Sequence, residues 1–403
     1  MALHLSHVRS ALIGASGLAL LALFLLYNYN GGNASSNLHL SERPVGVPGS
    51  NILNHASNRT LGFQKIFVIN LPSRTDYRDS MALAAALSDL QIEFVDGVTD
   101  VDEKTLPPDA KKVNLNSGSL YAWRAHLSAA RMIVEQNLTS ALILEGDVDW
   151  DIRIKQQMQD FARASQLLVQ PLHGTTDRFL DPTHPTPQAG QSPQDFEVGD
   201  TAATAQPTTS PYGDIDRWDM LWLGHCGTRF PRLSDSNAPL GRAIIRDDET
   251  VPEKQHIHMQ FGNDELVQQY PAHTRAVSRA RMNTCTLGYA LSQPGARRLL
   301  YELGIRKMTG TMDMMFRSLC DGVDGRPIST CFTVQPQLFQ HHRPVGEKAS
   351  FSDISDHGTE FNDRAFTRNI RWSTKLNFPK LVYGETDYID LFKDGESSPD
   401  LGF

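Results

Sequence analysis

Ala141-Leu142-Ile143-Leu144-Glu145-Gly146-Asp147-Val148-Asp149-Trp150-Asp151 changes character half-way along. Four apolar residues in a row are short for a helix but suit a strand buried on both faces, as in the middle of an α/β sheet. A carboxylate then occupies every second position. In an extended chain these would project to one side about 6.5 Å apart, and a turn at Gly146 would draw two of them onto one ion. A hard divalent cation, Mn²⁺ or Mg²⁺, takes such oxygen ligands and leaves positions for phosphate. The spacing alone says little, since Asp100 with Asp102 and Asp214 with Asp216 share it. Its place behind a buried strand gives the cluster weight, because open α/β sheets bind ligands beyond the carboxyl ends of their strands.

Upstream, Lys65-Ile66-Phe67-Val68-Ile69-Asn70 reads as another buried strand, stopped at Pro72. Ser73 with Asp76 resembles a capping box, and Met81, Ala84, Leu87 and Leu90 continue at helical spacing. Ile92 to Val95 is a second strand. Strand, helix, strand predicts a right-handed βαβ unit and a mostly parallel central sheet, placing Asn70, Arg74 and Asp96 near a nucleotide. Ser119 reads as the cap of a helix with the stripe Leu120, Trp123, Leu127, Ala130 and Val134, which leaves His126 off the apolar face. Further strands are predicted at 218–224, 286–291 and 331–334, with a helix from Gln293-Pro294 through Leu300. Residues 171–211, rich in Pro, Thr, Gln and Gly, read as a low-complexity insertion.

The chain has 403 residues and a net charge of -8, which argues against a nucleic-acid partner. Residues 11–27 carry no charge and follow Arg9, so the reading favours an uncleaved transmembrane signal anchor over a cleaved signal peptide. That makes residues 1–10 a cytosolic tail, 28–62 a flexible stem and 63–403 the catalytic domain of a single-pass type II protein. Four cysteines, at 226, 285, 320 and 331, lack CxxC spacing and allow one or two disulfides in a lumenal compartment. Sequons at Asn33, Asn58 and Asn137 are compatible with that compartment.

Phe67-Val68-Ile69-Asn70-Leu71-Pro72-Ser73-Arg74 with Arg78 resembles the opening strand of glycosyltransferase family 25, the lipooligosaccharide and procollagen galactosyltransferases. Ser119 to Ala130, the run from Ala141 to Val148, Gly288-Tyr289-Ala290-Leu291-Ser292 with Gly295-Ala296, and Phe351-Ser352-Asp353-Ile354 resemble later blocks in family order. The resemblance implies a GT-A-type nucleotide-sugar-binding α/β fold, a UDP-sugar donor with Mn²⁺, inversion, and a glycan or glycoprotein acceptor in the Golgi or another secretory-pathway membrane. It also implies Asp313 as general base, although the same residue reads as a helix cap. Asn70, Arg74, Asp96, Glu145 and Asp147 would hold the nucleotide sugar. Metal ligation would fall to Asp147 with Glu145 or Asp149, and to His341 from the carboxyl end. Gly146 stands where the family's middle acid is usual, which keeps open a catalytically degenerate member that binds a glycan or partner.

Overall fold

The computed structural model describes residues 51–401. The tail, the anchor and residues 28–50 of the stem lie outside that range. Among the described residues no helix is long and apolar enough to cross a membrane.

The βαβ unit forms as its pattern predicts. Strand β1 (Lys65–Asn70) runs through helix α1 (Thr75–Leu87) to β2 (Ile92–Asp96), and β1 pairs with β2 in parallel. Ser73 is not the cap: Arg74 occupies that position without a side-chain cap bond. Helix α2 (Ser117–Glu135) starts on Asn116, whose side chain accepts the Ser119 N–H at 2.7 Å, so Ser119 lies inside the first turn. It leads back across β1 to β3 (Ser140–Glu145), parallel to β1 on its other side.

Beyond β3 the sheet departs from expectation. Its order is β2-β1-β3-β9-β6-β10-β8-β7-β5, with β5 (Asp195–Glu197), β6 (Met220–Gly224), β7 (Arg242–Ile245), β8 (Arg275–Arg279), β9 (Gly288–Ser292) and β10 (Cys331–Gln335). Four of the eight neighbouring pairs are parallel and four antiparallel, so the sheet is mixed rather than mostly parallel. A parallel return needs a long crossover, and between β6 and β9 the described chain offers only the five-residue helix Glu265–Gln269. β8 and β9 therefore run against their neighbours. A separate short sheet joins β4 (Val148–Trp150), β11 (Phe339–Arg343) and the strand Phe366–Thr367.

Alternate residues of β1 enter different cores. Ile66 and Val68 pack with Met81 and Ala84 of α1 and with Phe161 of helix α3 (Ile154–Val169), while Phe67 packs with Trp123 and Leu127 of α2. Helices α4 (Gln293–Leu299) and α5 (Met312–Asp321) complete that second layer. The result is a mixed α/β sheet covered on both faces.

Two segments read as unfolded are part of this body. Residues 52–57 form a 3-10 helix against α3, with Ala56 and Leu61 fully buried, because Asn58 Oδ1 accepts the Thr60 and Gly62 N–H groups and turns the chain inward. Within 171–211, β5 joins the sheet edge, and buried Asp181 accepts the N–H and hydroxyl of Thr183. Polar side chains there satisfy the backbone locally, which composition alone does not reveal. All four cysteines are paired, Cys226 with Cys285 and Cys320 with Cys331.

Candidate functional site

β1 continues outward to β2, whereas α2 carries the chain back over β1 to β3, and the connecting helices lie on opposite faces. Such a reversal is where open α/β sheets place a ligand crevice, here beyond the carboxyl ends of β1 and β3. Asn70 and Glu145 end those strands at its mouth.

The chain turns at Gly146-Asp147 before β4, so the carboxylates do not share one side. β11 pairs antiparallel with β4, setting His341 opposite Val148. Glu145, Asp147 and His341 each offer a ligand atom within 4.8 Å of the others. His341 Nε2 is 3.5 Å from Asp147 Oδ2, and Arg343 Nη1 is 3.3 Å from the same oxygen. Burial pushes the His341 pKa down, against the pull of Asp147 and with the help of Arg343, so its imidazole is neutral and fit to ligate.

Glu145 is held from behind. Thr286 Oγ1 donates to its Oε1 at 2.6 Å, and His126 Nε2 lies 3.4 Å away. His126 Nδ1 in turn meets the Tyr289 hydroxyl at 2.9 Å. Burial opposes ionisation of Glu145, but His126, His341 and Thr286 outweigh it and the pKa is lowered. His126 is thus a buried support rather than a residue off the apolar face.

Asp149 is not with the other two. It is fully buried, its Oδ1 accepting from Trp150 N and Lys375 N at 2.8 and 3.1 Å and its Oδ2 from the Thr367 and Ser373 hydroxyls. Asp151 is equally buried, paired with Arg153 at 2.8 Å. Of the two partners expected for Asp147, Glu145 rather than Asp149 stands with it and His341 in a group that could hold an ion.

Gly146 has a steric reason. A Cβ there would lie 2.5 Å from Asn70 Oδ1 and 3.3 Å from Ile69 O. Asn70 is locked in place, its Nδ2 donating to Leu71 O and Arg74 O at 2.7 and 3.1 Å. Gly146→Asp is expected to destabilise the fold by about 1–3 kcal/mol, the usual cost of overpacking. Adding Asn70→Gly to that variant should recover at least half the loss in urea denaturation. Equal stability of the parent and Gly146→Asp would show that the turn yields freely.

The remaining sequence candidates are committed elsewhere. Arg74 pairs with Asp76 at 2.7 Å and Asp353 at 2.8 Å and stacks on Tyr77, and Asp96 takes Arg78 at 3.3 Å. Asp313 opens α5, with Thr311 Oγ1 on one oxygen at 2.6 Å and Cys285 N on the other at 3.0 Å. Its partner Cys285 directly precedes Thr286, the residue that donates to Glu145.

Lys375 was missed. It is 6 % exposed, and its ammonium makes no hydrogen bond or ion pair among the described residues. Burial pushes its pKa down, opposed first by Asp149 and then by Asp147 and Asp76. Nothing in Ser373-Thr374-Lys375 signals this, whereas a histidine within Ala125-His126-Leu127 on a helix could have drawn notice. A scan of the chain against protein-family models finds no match, and a search of curated proteins finds no significant one.

Proposed function

We propose that the chain is a metal-dependent glycosyltransferase that moves a hexose, galactose by the resemblance, from a UDP-sugar to a glycan or glycoprotein acceptor with inversion. The observation that carries this reading is the meeting of Glu145, Asp147 and His341 at the crevice beyond β1 and β3. Two carboxylates and a neutral imidazole suit Mn²⁺ or Mg²⁺, and a bound ion there would supply Lewis-acid stabilisation of the departing diphosphate. Glu145 stays ionised on Thr286 and His126, so its oxygens remain available to a cation. Lys375 supplies the positive charge for a phosphate that Arg74, already paired, does not. Asp313 is the general base of this reading, placed through Cys285. Two disulfides accord with a lumenal, type II membrane enzyme of the Golgi or another secretory compartment.

Calorimetric titration of the purified chain with UDP, with and without Mn²⁺, tests the assignment. UDP is expected to bind at least about tenfold more tightly with Mn²⁺ present. Lys375→Met should then weaken UDP by about tenfold, the worth of one charge-assisted hydrogen bond, while leaving Mn²⁺ affinity measured alone unchanged. Nucleotide affinity indifferent to Mn²⁺ would turn the reading toward a non-catalytic glycan-binding protein.

A further inference from the structure

A cavity of about 290 Å³ lies at the other edge of the sheet. β6 and β10 point the same way as β3, because β9 is antiparallel to both β3 and β6 and β10 is parallel to β6. Arg217 and Thr330, which precede β6 and β10, and Arg279, which ends the reversed β8, therefore gather at the edge away from Glu145. A ligand in this cavity does not meet the acid pair, so it is a separate site.

The two arginines in the wall have no carboxylate within ion-pair distance among the described residues, although Asp181 and Asp216 also line it. Arg217, Arg279 and His184 converge there, and none forms an ion pair with a carboxylate among the described residues. Arg279 donates from Nη2 to Ser329 O at 2.9 Å and lies 5.4 Å from the Phe332 ring centre, leaving the rest of its fork unmet. Arg217 lies 6.0 Å from the ring centre of Phe179, on which His184 stacks at 3.6 Å. The acids nearby are engaged or peripheral. Asp181 is saturated by Thr183 and by Gly241 N at 2.8 Å, Asp219 by Arg298 at 2.5 Å and Thr330 N at 2.8 Å, and Asp216 is exposed. Burial and the neighbouring Arg281 push the Arg279 pKa down to about 10, and Arg279 and Arg217 add to the burial that lowers His184. Asp181 and Asp219 offset part of this from a distance, and guanidinium groups left without a direct carboxylate partner are a cost that a bound anion removes.

We propose that this cavity binds a small oxyanion, a carboxylate, sulfate or phosphate ester carried on a sugar-sized molecule, through the guanidinium groups of Arg217 and Arg279. The volume is at the lower end for small-molecule pockets, about 300 Å³, and the Phe179 and Phe332 rings supply apolar walls for the carrier. Two planar forks suit the paired oxygens of such groups.

The test is calorimetry on the full chain at constant ionic strength with glucuronate, galactose 6-sulfate, glucose 6-phosphate and neutral glucose, the three charged arms separating the anion types. At least one charged sugar is expected to bind ten times more tightly than glucose or better. Arg217→Met and Arg279→Met should each weaken it by about tenfold. Asp216→Asn, which removes a rim charge, should tighten it by about twofold, a gain that a merely structural role for these residues would not produce. Unchanged Mn²⁺ affinity at the acid pair shows that each variant is folded, and if Arg279→Met unfolds, the more peripheral Arg217→Met decides. Binding of glucose as tight as of any charged sugar, no binding of the charged sugars at millimolar concentration, or arginine variants within twofold of the parent would each overturn the proposal. None of these outcomes bears on UDP binding.

Discussion

Asp147→Ala is expected to lower Mn²⁺ affinity by about a hundredfold or more with little change in melting temperature, and Asp149→Ala to do the reverse. Loss of a supporting residue around a metal already costs about 10–100-fold, and in the proposed site Asp147 would be a direct ligand. It touches His341 and Arg343 at a half-open mouth, so the fold loses little with it. Asp149 instead satisfies two backbone N–H groups and two hydroxyls in a fully buried position, and its charge opposes that of Lys375. Its removal strands all of them, and breaking such a buried set costs about 3–5 kcal/mol. Asp149→Asn should be much milder, because burial already pushes this carboxyl pKa up and the neutral amide still accepts through its oxygen. Urea denaturation beside Mn²⁺ titration of the three variants reads the pattern. Loss of Mn²⁺ binding in a folded Asp149→Asn would return Asp149 to the metal.

Replacing both Cys226 and Cys285 by alanine is expected to cost about 4 kcal/mol, against about 3 kcal/mol for Cys320 with Cys331, from the chain entropy released by loops of different length. The sequence separations are 59 and 11 residues. The longer loop has a second effect, because Cys285 directly precedes Thr286, which orients Glu145, and donates its own N–H to Asp313. Mn²⁺ affinity should fall several-fold in the Cys226/Cys285 variant at a temperature where it is still folded, and stay level in the Cys320/Cys331 variant. The opposite order of stabilities in urea would refute the loop argument.

What was legible in the sequence was what short-range pattern determines. The β-branched run at 65–70 and the aliphatic run at 141–144 became adjacent parallel strands with their ends at the crevice. Glu145 and Asp147 follow from that placement. A turn at Gly146 was expected, but which carboxylate it would join to Asp147 was not legible, and the turn at 146–147 sent Asp149 into the interior. Arg74 had the right charge for a phosphate, but its partner Asp353 is 279 residues away and no local pattern announces it. Antiparallel β8 and β9 were hidden for a similar reason, since strand direction depends on the length and path of connections rather than on the strand's residues. His126, Thr286 and Lys375 enter the site from three distant segments, so their roles emerged only once the fold assembled them.

β11 and the stretch behind it give the acid pair His341 and Arg343, buffer Asp149 with Thr367 and Ser373, and bring Lys375. Glu145 and Asp147 are synthesised some two hundred positions earlier. During translation the chain can therefore pair β1 with β3 long before His341 is available to join Glu145 and Asp147. A message truncated after β10 would encode most of the sheet and none of these groups, giving a product with much of the architecture but with Glu145 and Asp147 left without His341.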